Sequence, residues 1–212
     1  LTAIGNRRST VLMYSDAKAL SWDGLCSHRV RVVLGEKDIA AEILEISEGD
    51  INEDLLQLTP AGTCPVLVDR ELALYDTRVI NDYLDERYPH PPFMPTDPVS
   101  RARTRLALHR IESEWYSLLP IAPHQTLSDE AAINALTESL AASNEVFAAM
   151  PFFLAEEYSI LDATLAPLLW RLPAYGIVLP DSASAISKYA KKLFARPGFE
   201  ASLNKAEREL IQ

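Results

Sequence analysis

Cysteine is scarce in this sequence: Cys26 and Cys64 are the only two among 212 residues. Thiols so far apart build neither a disulfide framework nor a Cys-x-x-Cys redox pair, and they fit a reducing, cytoplasmic setting. Long apolar runs are also missing. A membrane-spanning helix needs about 18 or more uncharged apolar residues in a row, and no such stretch occurs. Residues 1–9 carry Arg7 and Arg8 without the apolar segment of an export signal, and read as a loose tail. Basic residues are outnumbered, 20 against 30 acidic, for a net charge of −10. Direct nucleic-acid binding draws on a basic surface and is not expected here. The four histidines, His28, His90, His109 and His124, show no metal-ligand spacing.

What remains is an ordinary globular composition, 48% apolar and 24% charged. Thr10–Tyr14 is a nearly continuous apolar run, the pattern of a strand buried on both faces. Ser15 to Gly24 reads as a polar loop. Val30, Val33 and Leu34 recur at helical spacing between Leu25 and Lys37, with Arg29 and Arg31 assigned to the outer face. Glu42–Ile46 is a second strand, Ser47–Asp50 a loop, and Ile51, Leu55, Leu56 and Leu58 suggest a short helix. Val66–Val68 and Leu72–Tyr75 flank the polar Asp69-Arg70-Glu71 and predict a hairpin. Asp76-Thr77 opens a helix with Val79, Ile80, Tyr83 and Leu84 as its apolar positions.

Composition then changes. Five prolines fall between residues 89 and 98, which predicts a linker over 90–98 between an α/β domain (10–89) and an all-helical one (99–212). In the second domain Leu106, Leu108, Ile111, Trp115, Leu118 and Leu119 predict one long helix, and Ala131–Met150 a second. Ser159 and Asp162 have capping-box spacing ahead of a nearly all-apolar helix ending at Leu172. Two further helices are expected near 181–195 and 199–210.

These motifs, in this order, resemble the glutathione transferase superfamily. Ser27-His28-Arg29-Val30-Arg31 is similar to its first helix. Thr59-Pro60-Ala61-Gly62-Thr63-Cys64-Pro65 is similar to its loop ending in a cis proline, and Asp76-Thr77 stands at its Glu-Ser or Asp-Ser position. The resemblance implies a thioredoxin-like α/β N-terminal domain, an all-α C-terminal domain and a homodimer. It also implies a cradle for glutathione at Cys64, Pro65, Asp76 and Thr77. Within the superfamily, Tyr83–Pro92, His109–Glu112, Trp115-Tyr116 and Leu165–Pro173 resemble a branch of RNA polymerase-associated regulators. That closer resemblance implies docking on the polymerase holoenzyme and its sigma factor through Pro89, His90 and Pro91, under starvation or acid stress. Tyr83, Asp85, Glu86, Arg87, Tyr88 and Phe93 would rim that patch, with Arg101 and Arg105 extending it.

Catalysis needs a hydroxyl or thiol at the start of the first helix to hold a thiolate. The residue aligned with the catalytic serine of zeta-type transferases is Gly24, which has no side chain. Cys26, Ser27 and Tyr14 are the remaining candidates if the chain is a glutathione-dependent transferase or isomerase. Otherwise Tyr14 packs, Cys26 is a small buried residue and Ser27 caps or starts the helix. The expectation is a regulator without catalysis or cofactor, with the transferase as the alternative and a small-ligand sensor as a third reading.

Overall fold

The computed structural model describes residues 10–47, 53–59, 61–125 and 128–211. The expected tail at 1–9, Ile51 and most of the Ser47–Asp50 loop lie outside them. Four strands, β1 (Val11–Asp16), β2 (Ala41–Ile46), β3 (Val66–Asp69) and β4 (Leu72–Tyr75), form a mixed sheet in the order β2-β1-β3-β4. β1 runs parallel to β2 and antiparallel to β3, and β3 and β4 form the hairpin with Val66 opposite Tyr75. Val11 and Met13 enter the main core, while Tyr14 joins Leu55, Cys64 and Val66 on the opposite face. β1 is therefore apolar on both sides, as its interior place requires. The main-core face carries α1 (Trp22–Glu36) and α3 (Thr77–Arg87), and α2 (Glu53–Leu58) brings Leu55 to the other.

The Ser15–Gly24 loop is shorter than expected, because β1 continues to Asp16 and α1 starts at Trp22. Ser21 closes the gap. Its hydroxyl accepts from the Gly24 N–H at 2.9 Å as N-cap and donates to Asp16 at 2.6 Å. Nor does α1 have an outer face: every residue from Gly24 to Leu34 is buried, Arg29 and Arg31 included. It is packed against β1, α3 and two later helices, so its charges had to find partners inside.

α4 (Pro98–Glu114) follows the proline segment and ends in a turn of 3-10 helix at Tyr116–Leu118. Leu108 and Ile111 face the core, but Leu106, assigned to it by periodicity, is 60% exposed. The single helix expected over 131–150 is two, α5 (Asp129–Ala142) and α6 (Asn144–Ala149). The break falls at Ser143, whose hydroxyl donates back to Ser139 O at 3.0 Å. Asn144 next to it turns its side-chain oxygen to the first amides of another helix, accepting from Ala185 and Ile186. α7 (Ile160–Arg171) is buried almost throughout. Its capping box forms, with Ser159 N–H donating to Asp162 at 2.8 Å, and Asp162 also accepts from Phe153 N–H and the Tyr189 hydroxyl. α8 (Ser184–Phe194) follows, and the last expected helix is divided into α9 (Pro197–Ser202) and α10 (Lys205–Arg208). The division falls at Asn204, which caps α10 by accepting from Glu207 N–H at 2.9 Å.

The two halves share one core, and α1 is their common wall. Gly35 and Gly198 let α1 and α9 meet backbone to backbone, since a Cβ on Gly35 would lie 2.3 Å from the Gly198 carbonyl oxygen. Beside this contact lies a charged seam. Glu207 Oε1 accepts from Arg31 of α1 and Arg171 of α7, both at 2.6 Å. Arg171 Nη1 lies 2.8 Å from His28 Nδ1, and because arginine only donates, Nδ1 is the acceptor and the imidazole proton is on Nε2. Nε2 then donates to Ser202, 3.0 Å away. His28 thus bonds across 174 residues rather than locally on its own helix. The nearby Glu207 carboxylate, 3.4 Å from Nδ1, does not make it a cation. Burial, Arg171 and Arg31 all hold its pKa well below the ordinary value.

Candidate functional site: an exposed proline turn and a cis-proline cradle

Two places invite function. The first is the segment leaving α3. Pro89, His90, Pro91 and Pro92 are all exposed, and the His90–Pro91 bond is cis. What lies beneath them is buried. Lys37, at the end of α1, donates to Tyr88 O at 2.7 Å and Pro91 O at 2.6 Å, and its ammonium lies 2.7 Å from Asp85 Oδ1. All three ammonium hydrogens are thereby used. Asp85 in turn accepts from the N–H groups of Phe93 and Met94 at 2.8 and 3.0 Å. The Phe93 ring lies 4.4 Å from the Lys37 ammonium, and Phe93 O accepts from Ile160 N–H at the start of α7. The turn is tied at both ends to the core between the two halves.

Of the residues assigned to its rim, Glu86 and Arg87 are exposed, and Tyr83 and Tyr88 are half-buried. Asp85 and Phe93 are buried and support the turn from below instead. The buried flank of α3 is Thr77, Ile80, Asn81, Leu84 and Asp85, rotated from the expected one, and Val79 is half exposed. Lys37 was not singled out from the sequence, because a lysine closing a helix is ordinarily a solvated complement to the helix dipole. One legible signal existed: Asp85 stands at i+4 from Asn81 and i+8 from Thr77, one buried stripe of α3.

The second place is the cradle implied by the superfamily. Cys64–Pro65 is cis, and Asp76 caps α3 with its carboxylate accepting from the Arg78 and Val79 amides. Asp76 holds φ at 79°, a conformation that costs a non-glycine residue about 1–3 kcal/mol. Thr77 is buried. A cleft of about 420 Å³ opens nearby, lined in part by Trp22, Cys26, Arg29, Asp76, Thr77 and Tyr116. Two polar groups of the cradle, the Cys64 amide and the Asp76 carboxylate, are however engaged within the chain. Cys64 N–H donates to the Asp23 carboxylate at 3.1 Å. A side chain at Gly24 has no room, since a Cβ there would lie 1.7 Å from the Lys18 carbonyl oxygen. Ser27 neither caps nor starts α1: it is fully buried inside it and accepts from Asp16 N–H at 3.1 Å. Tyr14 is buried in the second cluster, and burial raises its pKa. The Cys26 thiol is raised by burial. Cys64 is pushed up to about 12, first by burial and then by Asp23 and Asp16, so the local field opposes a thiolate.

Arg101 donates to Pro95 O at 3.1 Å, which braces the far end of the proline segment. Arg105 instead borders a small cavity of about 30 Å³ together with Arg29, Asn81 and Asp82. No group of three or more metal-ligating side chains occurs among the described residues.

The fold and the cis-proline cradle define the class. Models of the glutathione S-transferase N-terminal and C-terminal domains match residues 23–92 and 106–197. A glutathione S-transferase from the Antarctic clam Laternula elliptica superposes with a TM-score of 0.78 over 95% of both chains, at 21% identity, which speaks to the fold alone. The chain belongs to the glutathione transferase superfamily and, within it, to the family of stringent starvation protein A. It is 42% identical to the Stringent starvation protein A homolog of Haemophilus ducreyi over 96% of this chain and 94% of that protein. The homolog of Pasteurella multocida matches at the same identity and coverage.

Proposed function

We propose that this chain is a regulator that associates with RNA polymerase and acts by docking, without catalysis, in the stationary-phase and acid-stress response. Pro89, His90 and Pro91 form the contact with the holoenzyme and its sigma factor. The carrying observation is that each residue of this turn is exposed, yet the turn is fastened to the core through Lys37 and Asp85. A surface loop held in one shape loses little entropy on binding. The relatives' name, stringent starvation protein, supports the same reading.

Three observations favour a cradle without glutathione chemistry. Gly24 leaves no space for a hydroxyl, the Cys64 amide is taken by Asp23, and burial, with Asp23 and Asp16, raises the pKa of the Cys64 thiol. We take Cys64, Pro65, Asp76 and Thr77 as an inherited cradle. Leu72 and Tyr75 of β4, Val79 of α3, and Val99 and Leu106 of α4 are exposed apolar residues suited to burial against a second copy. A homodimer accords with these exposed residues, and a cytoplasmic site of action accords with two unpaired thiols.

The test is co-purification with RNA polymerase from lysate by the intact protein and by Pro89→Ala/His90→Ala/Pro91→Ala. The triple variant is expected to lose the polymerase, and retention would remove the docking site. The cleft of about 420 Å³ favours one other reading, a glutathione-dependent transferase. Turnover of an aromatic electrophile that disappears in Cys26→Ala or Ser27→Ala would establish it.

A further inference from the structure

We infer that the Pro89–Pro92 turn is a donor-poor ledge locked by Lys37, and that its partner is a cleft lined with apolar or aromatic side chains. This rests on the docking reading above and names the chemistry of the partner's surface. Three of the four exposed residues are prolines and carry no backbone N–H. The carbonyls of Tyr88 and Pro91 are turned inward and bonded to the Lys37 ammonium. The flanking amides of Phe93 and Met94 are consumed by Asp85. Strand addition to this segment is therefore excluded, because it lacks the alternating donors and acceptors that a β-partner pairs with. The ledge offers three pyrrolidine rings and one imidazole. Such a surface is recognised by packing against apolar or aromatic walls, with His90 as the side-chain hydrogen-bonding group.

Lys37 is then a positioning residue. It touches no partner, yet each of its three hydrogens holds a group that sets the shape of the ledge. Without it Asp85 keeps a buried charge facing only the two amides, and the turn is free to rearrange. An interface that relies on shape is sensitive to such a loss.

The experiment measures binding of the full chain to purified RNA polymerase holoenzyme by biolayer interferometry. It compares wild type, Lys37→Met and the triple proline-histidine variant, with amide exchange read at Phe93 and Met94. Lys37→Met is expected to speed exchange at those two amides and to weaken binding by about tenfold or more. Circular dichroism should be unchanged. Lys37→Gln, which keeps one carbonyl bond, should fall between the two and serves if the methionine variant does not fold. Wild-type affinity is expected to change less than about twofold from about 0.05 to about 0.5 M salt. Wild-type affinity in a Lys37 variant with accelerated exchange would overturn the lock. A tenfold or larger fall with salt would overturn the apolar contact. If the triple variant binds like wild type, the docking reading itself fails, a result distinct from either of these.

Discussion

Replacing Glu207 by glutamine tests whether the charged seam holds the two halves together. The Glu207 carboxylate accepts from Arg31 and Arg171 at 2.6 Å each, and all three side chains are at most 3% exposed. Its other oxygen accepts from the Asn204 amide at 3.0 Å. Glutamine preserves shape and one acceptor oxygen but removes the charge, which leaves two buried guanidiniums without a counter-ion. Breaking a buried pair from one side costs about 3–5 kcal/mol. At about 2–4 °C per kcal/mol for a chain of this size, Tm should fall by roughly 6–20 °C. Calorimetry of the full chain at pH 7 reads this directly. Because Arg31 belongs to α1 while Arg171 and Glu207 belong to the helical half, limited proteolysis should also speed up near their contact. A loss below about 1 kcal/mol, the size of an exposed pair, would refute the reasoning.

His28 makes the same seam sensitive to acid. Its folded pKa lies below the unfolded value of about 6.5, so the unfolded chain binds more protons under that pH. The stability involved is complete above about pH 6.5 and is lost as pH falls toward the folded pKa. His28→Gln, which offers one acceptor and one donor, should flatten the stability curve below about pH 6.5. Asp23 and Asp162, raised by burial, act with the opposite sign, so the difference between variant and wild type isolates the histidine. Gly24→Ser should not create a transferase. It should cost about 1–3 kcal/mol in urea unfolding through overpacking against the Lys18 carbonyl, and a gain of glutathione turnover would contradict this. Cys26 and Cys64 should both resist a thiol reagent at pH 8 in the native protein and react at once in urea, and rapid native labelling of either would count against their burial.

Much of the fold was legible because it follows from local pattern. The apolar run at the start made β1, the polar Asp69–Glu71 break made the hairpin, and Ser159 with Asp162 capped α7. The helical breaks were not legible. Ser143 ends one helix and Asn204 starts another through bonds that periodicity does not register, and Asn144 caps a helix 41 residues away. Leu106 and Val79 fit a helical stripe as well as the true core residues do, yet both are exposed. A hydrophobic pattern says that a residue can be buried, not that this chain supplies the surface to bury it.

The candidate site divides in the same way. The prolines around His90 announce a stiff, helix-ending segment from the sequence alone, because proline fixes φ and removes a donor wherever it stands. Gly24 likewise announces that no hydroxyl stands at the aligned position. Only the tertiary structure decided what these features amount to. It brought Lys37 under Pro91, 54 residues away, Asp23 to the Cys64 amide, 41 residues away, and Arg31 to Glu207, 176 residues away. A buried charge must find its partner wherever the fold supplies one, and sequence separation carries no trace of that choice.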